Sequence, residues 1–440
     1  MAPLAAHAET RRPSVRPAST TPLHPVDADS APAVQLLNQT LDEAAQRRAS
    51  DLHIEPSEHG WRIRLRVDGV LHETASPPAH LRDALITRIK VLARMDIAER
   101  RVPQDGRLRL ARGAGSGTGT GASDDYRVSS LPTLFGEKLV LRRLETLPTD
   151  LSLAALGLDA PQQRDVDAAI RAPHGLVLVT GPTGSGKTLS LYCFLQMLNA
   201  ASRNICSVED PAEIQLDGIN QVNVRDKAGL TFAVALRALL RQDPDVIMVG
   251  EIRDEETADV AVKAAQTGHL VLSTLHTNDA PSAVARLIDI GVEPYHLAAA
   301  LRMVTAQRLV RRLCPACKVP DGSARDILED APNPTTATSA TGEPALIATT
   351  TGDITCAPPP YTARGCAACH GIGYRGRVGV HQVLPVSDTL RELIVRGTDL
   401  QRLTKQARAE GVTTLRDAAL ARVRDGTTSL VEALSATEVA

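Results

Sequence analysis

Gly181, Pro182, Thr183, Gly184, Ser185, Gly186, Lys187 and Thr188 run consecutively and spell Gly-x4-Gly-Lys-Thr. That spacing makes a phosphate cradle when a strand enters it and a helix leaves it. An apolar run, Leu176–Val179, enters, and a helix-like stretch, Leu189–Leu198, leaves. Gly184 and Gly186 adopt backbone angles that a Cβ resists, so successive N–H groups turn inward onto phosphate oxygens. The positive end of the following helix adds to the attraction. Lys187 is then placed for the β- and γ-phosphates, and the Thr188 hydroxyl for Mg²⁺. The ligand implied is ATP with Mg²⁺.

Hydrolysis also needs carboxylates, and two groups of them end apolar runs. Glu251 closes Val246-Ile-Met-Val-Gly250. An acidic residue at a strand end beside such a loop is the place of a magnesium partner, where Asp is commoner. Glu209, Asp210 and Glu213 follow Ile205–Val208. Three carboxylates at one strand end repel one another unless a metal or arginines answer them. Glu209 is the candidate for activating the attacking water, although sequence alone does not divide base and metal-ligand roles between Glu209 and Glu251. His269 and His276 bracket a further run, Leu270–Leu275. His276, at its exit, is placed to hydrogen-bond the γ-phosphate.

Cys314-Pro-Ala-Cys317 and Cys366-Ala-Ala-Cys369 form two Cys-x2-Cys pairs separated by 48 residues, with Cys356 in the spacer. Each short turn supplies two corners of a tetrahedron, and two turns together make a four-cysteine zinc site. Cys193 and Cys206 fall on the loop's helix and a core run and read as buried apolar residues.

The elements that must hold these groups come from 440 residues, enough for about two to four domains. Hydrophobic residues make up 43% and aromatics only 2%, so the cores are filled by Ala, Leu, Val and Ile. With 49 basic against 51 acidic residues, the surface as a whole does not grip nucleic acid. No apolar run approaches the roughly 18 residues of a spanning helix, and the N-terminus lacks the pattern of a secretory signal. A cytoplasmic protein is expected, where paired cysteines act as ligands rather than disulfides.

Residues 1–30 are rich in Pro, Ala, Ser and Thr and read as a disordered tail. Residues 31–146 read as a small α/β domain. Within it Val34, Leu37, Leu41 and Ala45 keep helical spacing. Trp61-Arg-Ile-Arg-Leu-Arg-Val67 alternates as a half-buried strand does. His80–Met95 reads as a second helix, 113–125 as a flexible hairpin tip and Leu139–Leu144 as a strand. A linker is expected at 147–156. Over 157–312 short apolar runs alternate with helix-like segments, the rhythm of a parallel sheet. The cysteine pairs occupy 313–382 around a disordered insert at about 331–360, and 383–440 read as short helices.

Several boxes resemble a known family. Thr267-Gly-His-Leu-Val-Leu-Ser-Thr-Leu-His-Thr-Asn-Asp-Ala280 resembles the His box of the secretion-superfamily ATPases, the motors of type II secretion and type IV pilus assembly. Glu209–Glu213 resembles their Asp box, and Asp245–Asp254, ending Gly-Glu-Ile-Arg-Asp, their Walker B. Ser50–Pro56, Arg66–Val70, Pro103–Arg107 and Arg127–Pro132 resemble stretches of their N-terminal domain. The likeness runs from about Ala31 to the C-terminus.

That resemblance implies an α/β fold: a RecA-like P-loop NTPase core, a flexibly joined N-terminal α/β domain and a small four-cysteine zinc-binding element. It implies that Arg107 and Arg127 approach the phosphates from the N-terminal domain, and that Arg237 and Arg241 sense nucleotide from the helix before Walker B. It further implies a homo-hexamer on the cytoplasmic face of the inner membrane, meeting a membrane platform and cytoplasmic adaptor proteins, with membrane contact through those partners. The cysteines favour a type II secretion motor over a pilus extension motor, although some extension motors share them and retraction motors generally lack them. Secretion and extension motors normally carry an additional N-terminal domain. About 30 residues precede the shared region here, so a shortened type or a different adaptor is expected. A nucleic-acid motor on the same core would need a basic, aromatic-containing strand-binding surface, which this composition does not support.

Overall fold

The computed structural model describes residues 32–111, 123–144, 151–322, 324, 328, 360–397 and 399–438. The expected tail at 1–30, most of the hairpin tip, the start of the linker, Cys356 and almost all of the 331–360 insert lie outside them. The chain divides into two compact units, with the break near Leu144 and Asp68–Val70 counted with the second.

The first unit contains α1 (Pro32–Gln46), β1 (Asp51–Ser57), β2 (Gly60–Val67), β3 (Val70–Ala75), α2 (Arg82–Leu92), β4 (Gln104–Ala111), β5 (Ser123–Thr133) and β6 (Gly136–Arg143). Its sheet has the order β3-β2-β1-β6-β5-β4. Helix α1 buries Val34, Leu37 and Leu41, as its apolar spacing requires. Strand β2 buries Trp61, Ile63, Leu65 and Val67 and turns its three arginines to the opposite face. On that face Glu55 meets Arg64 at 2.7 Å, Lys138 at 2.8 Å and Arg62 at 3.3 Å. Burial alone would raise the Glu55 carboxyl, but hydrogen bonds from Arg64 and Lys138 hold it at about 2.

The second unit opens with α3 (Ala160–Ile170), β7 (Gly175–Thr180), α4 (Lys187–Leu198), β8 (Ile205–Glu209), β9 (Asn220–Asn223), α5 (Phe232–Leu239) and β10 (Val246–Val249). It continues through α6 (Glu255–Gln266), β11 (Leu270–Leu275), α7 (Ala280–Asp289), α8 (Pro294–Ala300) and β12 (Leu301–Leu313). Short strands β13 (Val319–Pro320) and β14 (Tyr361–Thr362) precede β15 (Tyr374–Pro385). Helices α9 (Asp388–Val395), α10 (Leu400–Ala409), α11 (Leu415–Arg424) and α12 (Leu430–Thr437) close the chain.

The main sheet has the order β15-β12-β7-β11-β10-β8-β9, parallel from β12 to β9 with β15 antiparallel on β12. Strands β7, β8, β10 and β11 are buried at every residue, which is why they read as largely apolar runs. This sheet extends past 312. Strand β15 pairs with β12 from Tyr374 onward, so 374–382 belong to the sheet and not to the cysteine element.

The stretch expected as a linker is packed where it is described. Leu153, Leu156 and Leu158 join the core around α4 and β7. His381 Nε2 lies 3.0 Å from the Leu156 carbonyl, which fixes the proton on Nε2, while Nδ1 is buried without a partner. A Cβ on Gly379 would stand 2.3 Å from the same carbonyl, so glycine permits this close approach. Burial holds the His381 pKa down to about 4. An unfolded histidine protonates near about 6.5, so between those values the unfolded state binds the extra proton. Stability is expected to fall by about 3 kcal/mol as pH drops through this window. Replacing His381→Gln is expected to flatten that part of the pH profile in denaturant titrations; an unchanged slope would contradict the assignment.

Candidate nucleotide site

Four parallel strands deliver candidate residues to one edge of the sheet. Strand β7 leads into residues 181–188, β8 ends on Glu209, β10 leads into Glu251 and β11 into His276. Open parallel sheets bind ligands at this carboxyl edge. In the loop, Gly181, Gly184 and Gly186 have φ of 148°, 79° and 89°. A Cβ on Gly181 would lie 2.4 Å from the Gln307 carbonyl, so the loop closes against β12 only with glycine there. Gly186 begins α4 without a side-chain cap, which leaves the first helical N–H groups for an anion. The Ser185 hydroxyl is buried inside the loop without a protein partner, as a donor to a phosphate oxygen would be. These features fit a phosphate chain.

Lys187 Nζ donates to the carbonyls of Gly181 at 2.8 Å and Pro182 at 3.1 Å. Burial brings its pKa down to about 8, against the pull of the Glu251 charge and with the push of Arg308. Thr188 follows, half-buried, on the first turn of α4. Glu251 accepts a hydrogen bond from Arg253 and lies 3.4 Å from His276 Nε2. Its turn is fixed by the Thr274 hydroxyl on the Gly250 carbonyl at 2.7 Å and by Ile252 N on the Thr274 carbonyl at 3.0 Å. Two neighbouring acids have structural work: Asp254 and Asp279 cap α6 and α7 through Thr257 N and Ser282 N, each at 2.8 Å. Lys187, Glu251 and His276 are therefore brought together.

Glu209 is placed differently. It is 3% exposed, and three donors engage its carboxylate. The Tyr192 hydroxyl donates to Oε2 at 2.5 Å, while the Ser207 hydroxyl at 2.6 Å and the Gln221 amide at 3.0 Å donate to Oε1. Burial, and then its hydrogen bond to the Glu209 carboxylate, push the Tyr192 phenol above its usual value. The carboxylate expected to activate water is thus already engaged, with one of its donors on the loop's own helix.

The arginines fall in separate places. Arg237 is exposed on α5 and paired with Glu256 at 2.6 Å, and Arg241 donates to the Arg237 carbonyl at 2.9 Å. Among the described residues neither has a recorded contact with 181–188. Arg107 and Arg127 stand opposite one another on β4 and β5 of the first unit, both exposed. Sequence reasoning missed Arg308, which acts electrostatically on Lys187 and donates to the Asn278 carbonyl at 3.1 Å. The available signal was the run Met303–Ala306 followed by Gln-Arg, where β12 runs past the end of β7 beside the loop.

The sulfurs of Cys314, Cys317, Cys366 and Cys369 all lie within 4.8 Å of one another. Cys314–Cys366, Cys317–Cys369 and Cys366–Cys369 are 4.0, 3.8 and 3.7 Å apart. A disulfide needs about 2.05 Å. Tetrahedral zinc, with Zn–S of about 2.3 Å, spaces its sulfurs at about 3.8 Å. The arrangement fits zinc. Backbone N–H groups of Gly373 and Cys366 also point at the Cys369 sulfur, at 3.1 and 3.2 Å. Cys193 and Cys206 are buried.

The family model described as Type II/IV secretion system protein matches residues 26–435. The chain belongs to this family. The Type IV pilus assembly ATPase PilB of Myxococcus xanthus is 48% identical over 93% of this chain and 69% of its own length. Type II secretion system protein E of Pseudomonas aeruginosa is 47% identical over 93% of this chain and 76% of its own. Among solved structures, the ATPase DotB of Legionella pneumophila superposes with a TM-score of 0.63 at 20% identity, covering 91% of this chain and 94% of that one. The pilus retraction motor PilT with bound ADP gives 0.57 at 24% identity, covering 91% and 96%. These likenesses show the RecA-like α/β fold, and membership makes this secretion-family chain an ATP-hydrolysing enzyme. Among its described residues no helix is long and apolar enough to cross a membrane.

Proposed function

We propose that this secretion-family ATPase hydrolyses ATP to drive pseudopilus assembly and protein export by a type II secretion system. The observation that carries the motor reading is the convergence of Lys187, Glu251 and His276 at the carboxyl edge of the sheet. The four-cysteine cluster and the identity to protein E support type II secretion. A pilus extension motor is the second reading, favoured by a similar identity to PilB.

In this proposal the loop N–H groups and Lys187 hold the phosphates. Thr188 and Glu251 would hold Mg²⁺, for which a hydroxyl and a carboxylate are suitable hard donors. When bound, the metal neutralises phosphate charge. Glu209 was the candidate for activating water; because three donors already hold it, we assign that duty to Glu251 as well, beside its place at the metal. Glu209, tied to Tyr192, is placed to pass a movement of α4 to the β8 turn. His276 exchanges Glu251 for a γ-phosphate oxygen and so reports hydrolysis. Arg107 and Arg127 close on the phosphates from the first unit, a delivery worth on the order of 10³–10⁵ in rate, and Arg237 and Arg241 sense the nucleotide. A single opening unit has little to push against, so the working form is a ring, a homo-hexamer, with cyclic closure. It acts from the cytoplasmic face of the inner membrane through platform and adaptor proteins. The four cysteines hold Zn²⁺ as a structural ion.

Glu251→Gln in the assembled protein is expected to retain nucleotide binding and lose roughly 10²–10⁴-fold in turnover, as removal of a general base does. Glu209→Gln is expected to cost less. Equal turnover in wild type and Glu251→Gln would contradict the reading of the site.

A further inference from the structure

Strand β12 runs on past β7. Its last partner there is Ala306, opposite Thr180, so Gln307 and Arg308 stand level with the start of the phosphate loop, on opposite faces of the sheet. Gln307 faces α4. It is buried, its Oε1 accepts from the Ser190 hydroxyl at 2.7 Å, and a Cβ on Gly186 would lie 2.8 Å from its Nε2. Arg308 turns the other way, toward the segment that follows β11 and begins with His276. Its Nη2 donates to the Asn278 carbonyl at 3.1 Å and to Asn278 Oδ1 at 3.2 Å, and its Nη1 to the Gln307 carbonyl at 3.3 Å.

All three acceptors are neutral. A half-buried guanidinium held by neutral groups gives up water without gaining a counter-charge. Among the described residues, the carboxylate that acts on Arg308 is that of Asp279. It acts through space, because its Oδ1 is occupied by Ser282 N at the cap of α7. Burial outweighs that pull and holds the Arg308 pKa below the usual arginine value. The guanidinium is also near enough to Lys187 to act on its charge, so two cations from different elements repel one another beside the loop. The segment that Arg308 rests on has anchors of its own. Thr277 N donates to the Thr180 hydroxyl and Ala280 N to Gln382 Oε1, each at 2.9 Å, one on either side of Asn278.

A phosphate answers both features. It brings the counter-charge that carbonyls lack, and a guanidinium meets it with a planar fork of two parallel bonds. Asn278 lies two residues beyond His276, the side chain assigned to the γ-phosphate. We propose that Arg308 is a further nucleotide-binding residue, which exchanges the Asn278 carbonyl for an oxygen of the terminal phosphate of ATP. It does so from the same unit as Lys187, without help from the first unit. The exchange releases one tie on the segment that carries His276 when the triphosphate arrives, so Arg308 and His276 read the same phosphate together. ADP lacks that phosphate and leaves Arg308 on Asn278. This rests on the reading of the nucleotide site given above and adds to it a residue that separates ATP from ADP.

The test measures binding of ADP and of the non-hydrolysable β,γ-imido analogue of ATP, each with Mg²⁺, to the full chain carrying Arg308→Gln, Arg308→Lys or Lys187→Ala. Arg308→Gln still offers an amide donor to Asn278 but no charge. It is expected to weaken binding of the analogue roughly tenfold, the scale of one lost charge-assisted contact, and to leave ADP binding as in wild type. Arg308→Lys keeps the charge and gives up the fork, so it is expected to fall between; it carries the test if the glutamine variant does not fold, and wild-type affinity for the analogue would then overturn the proposal. If Arg308→Gln binds both nucleotides as wild type does while Lys187→Ala loses them, the proposal fails and the reading of the site stands. If Lys187→Ala also binds as wild type does, both fail. Equal weakening of the analogue and of ADP by Arg308→Gln would mean that Arg308 shapes the loop as a whole, which overturns its assignment to the terminal phosphate.

Discussion

Lys187→Ala is expected to cut ATP turnover by on the order of 10²–10³-fold, the scale of losing one preorganised donor to developing charge. The ammonium is half-buried at the start of α4, and its nearest acceptors are the loop's own carbonyls at Gly181 and Pro182. Burial lowers its pKa to about 8, a sign that the charge is held in a partly dry place where it acts strongly on phosphate. The substitution should not unfold the protein. Alanine is the best helix former, and Lys187 contributes no apolar packing to the core that surrounds Leu191, Phe194 and Leu195. Phosphate release and a melting curve on the same preparation separate the two effects. Lost turnover with an unchanged melting temperature is the expected pattern.

Removing the zinc site is expected to unfold the described residues around the four cysteines, 314–322 and 360–373. Between Cys314 and Tyr374 the described regular structure is small: two-residue strands β13 and β14 and one turn at Ala367–Cys369. The described residues of this stretch make little regular structure to oppose their chain entropy. Structural zinc contributes on the order of 10–16 kcal/mol in small peptides and would close this long excursion at its base. The double substitution Cys317→Ser and Cys369→Ser is expected to abolish bound zinc and to expose the segment to limited proteolysis. The main sheet should persist, because β12 and β15 pair along most of their length independently of the cysteines. Metal analysis and protease mapping check both parts. A wild-type chain that binds no zinc and resists protease would contradict this account.

Much of the site was legible because its strands are buried on both faces. Leu176–Val179, Ile205–Val208, Val246–Val249 and Leu270–Leu275 could be read directly, since they are short and almost wholly apolar, with only Ser207, Ser273 and Thr274 breaking them and no charge within them. Trp61–Val67 was legible for the opposite reason, since its arginines and apolar residues alternate across a half-solvated sheet. What escaped was assembled from distant segments. Glu209 is held by side chains from α4, β8 and β9, and no local pattern announces that Tyr192, Ser207 and Gln221 converge. Strand β15 hides Gly376, Gly379, His381 and Gln382 among its valines, and it pairs with a strand from which the whole cysteine element separates it. That Arg107, Arg127, Arg142, Asp51 and Arg66 stand opposite one another depends on register across five strands, which spacing within any one of them does not reveal.

The central claim is that ATP hydrolysis by this chain drives export. The most direct measurement deletes the gene in its native cell, restores wild type or Lys187→Ala, and assays exported enzymes and surface pili side by side. The expected result is loss of exported enzymes with pili intact, restored by wild type and not by Lys187→Ala. Loss of pili with export intact would instead make the chain a pilus extension motor, and full rescue by Lys187→Ala would contradict hydrolysis as its function.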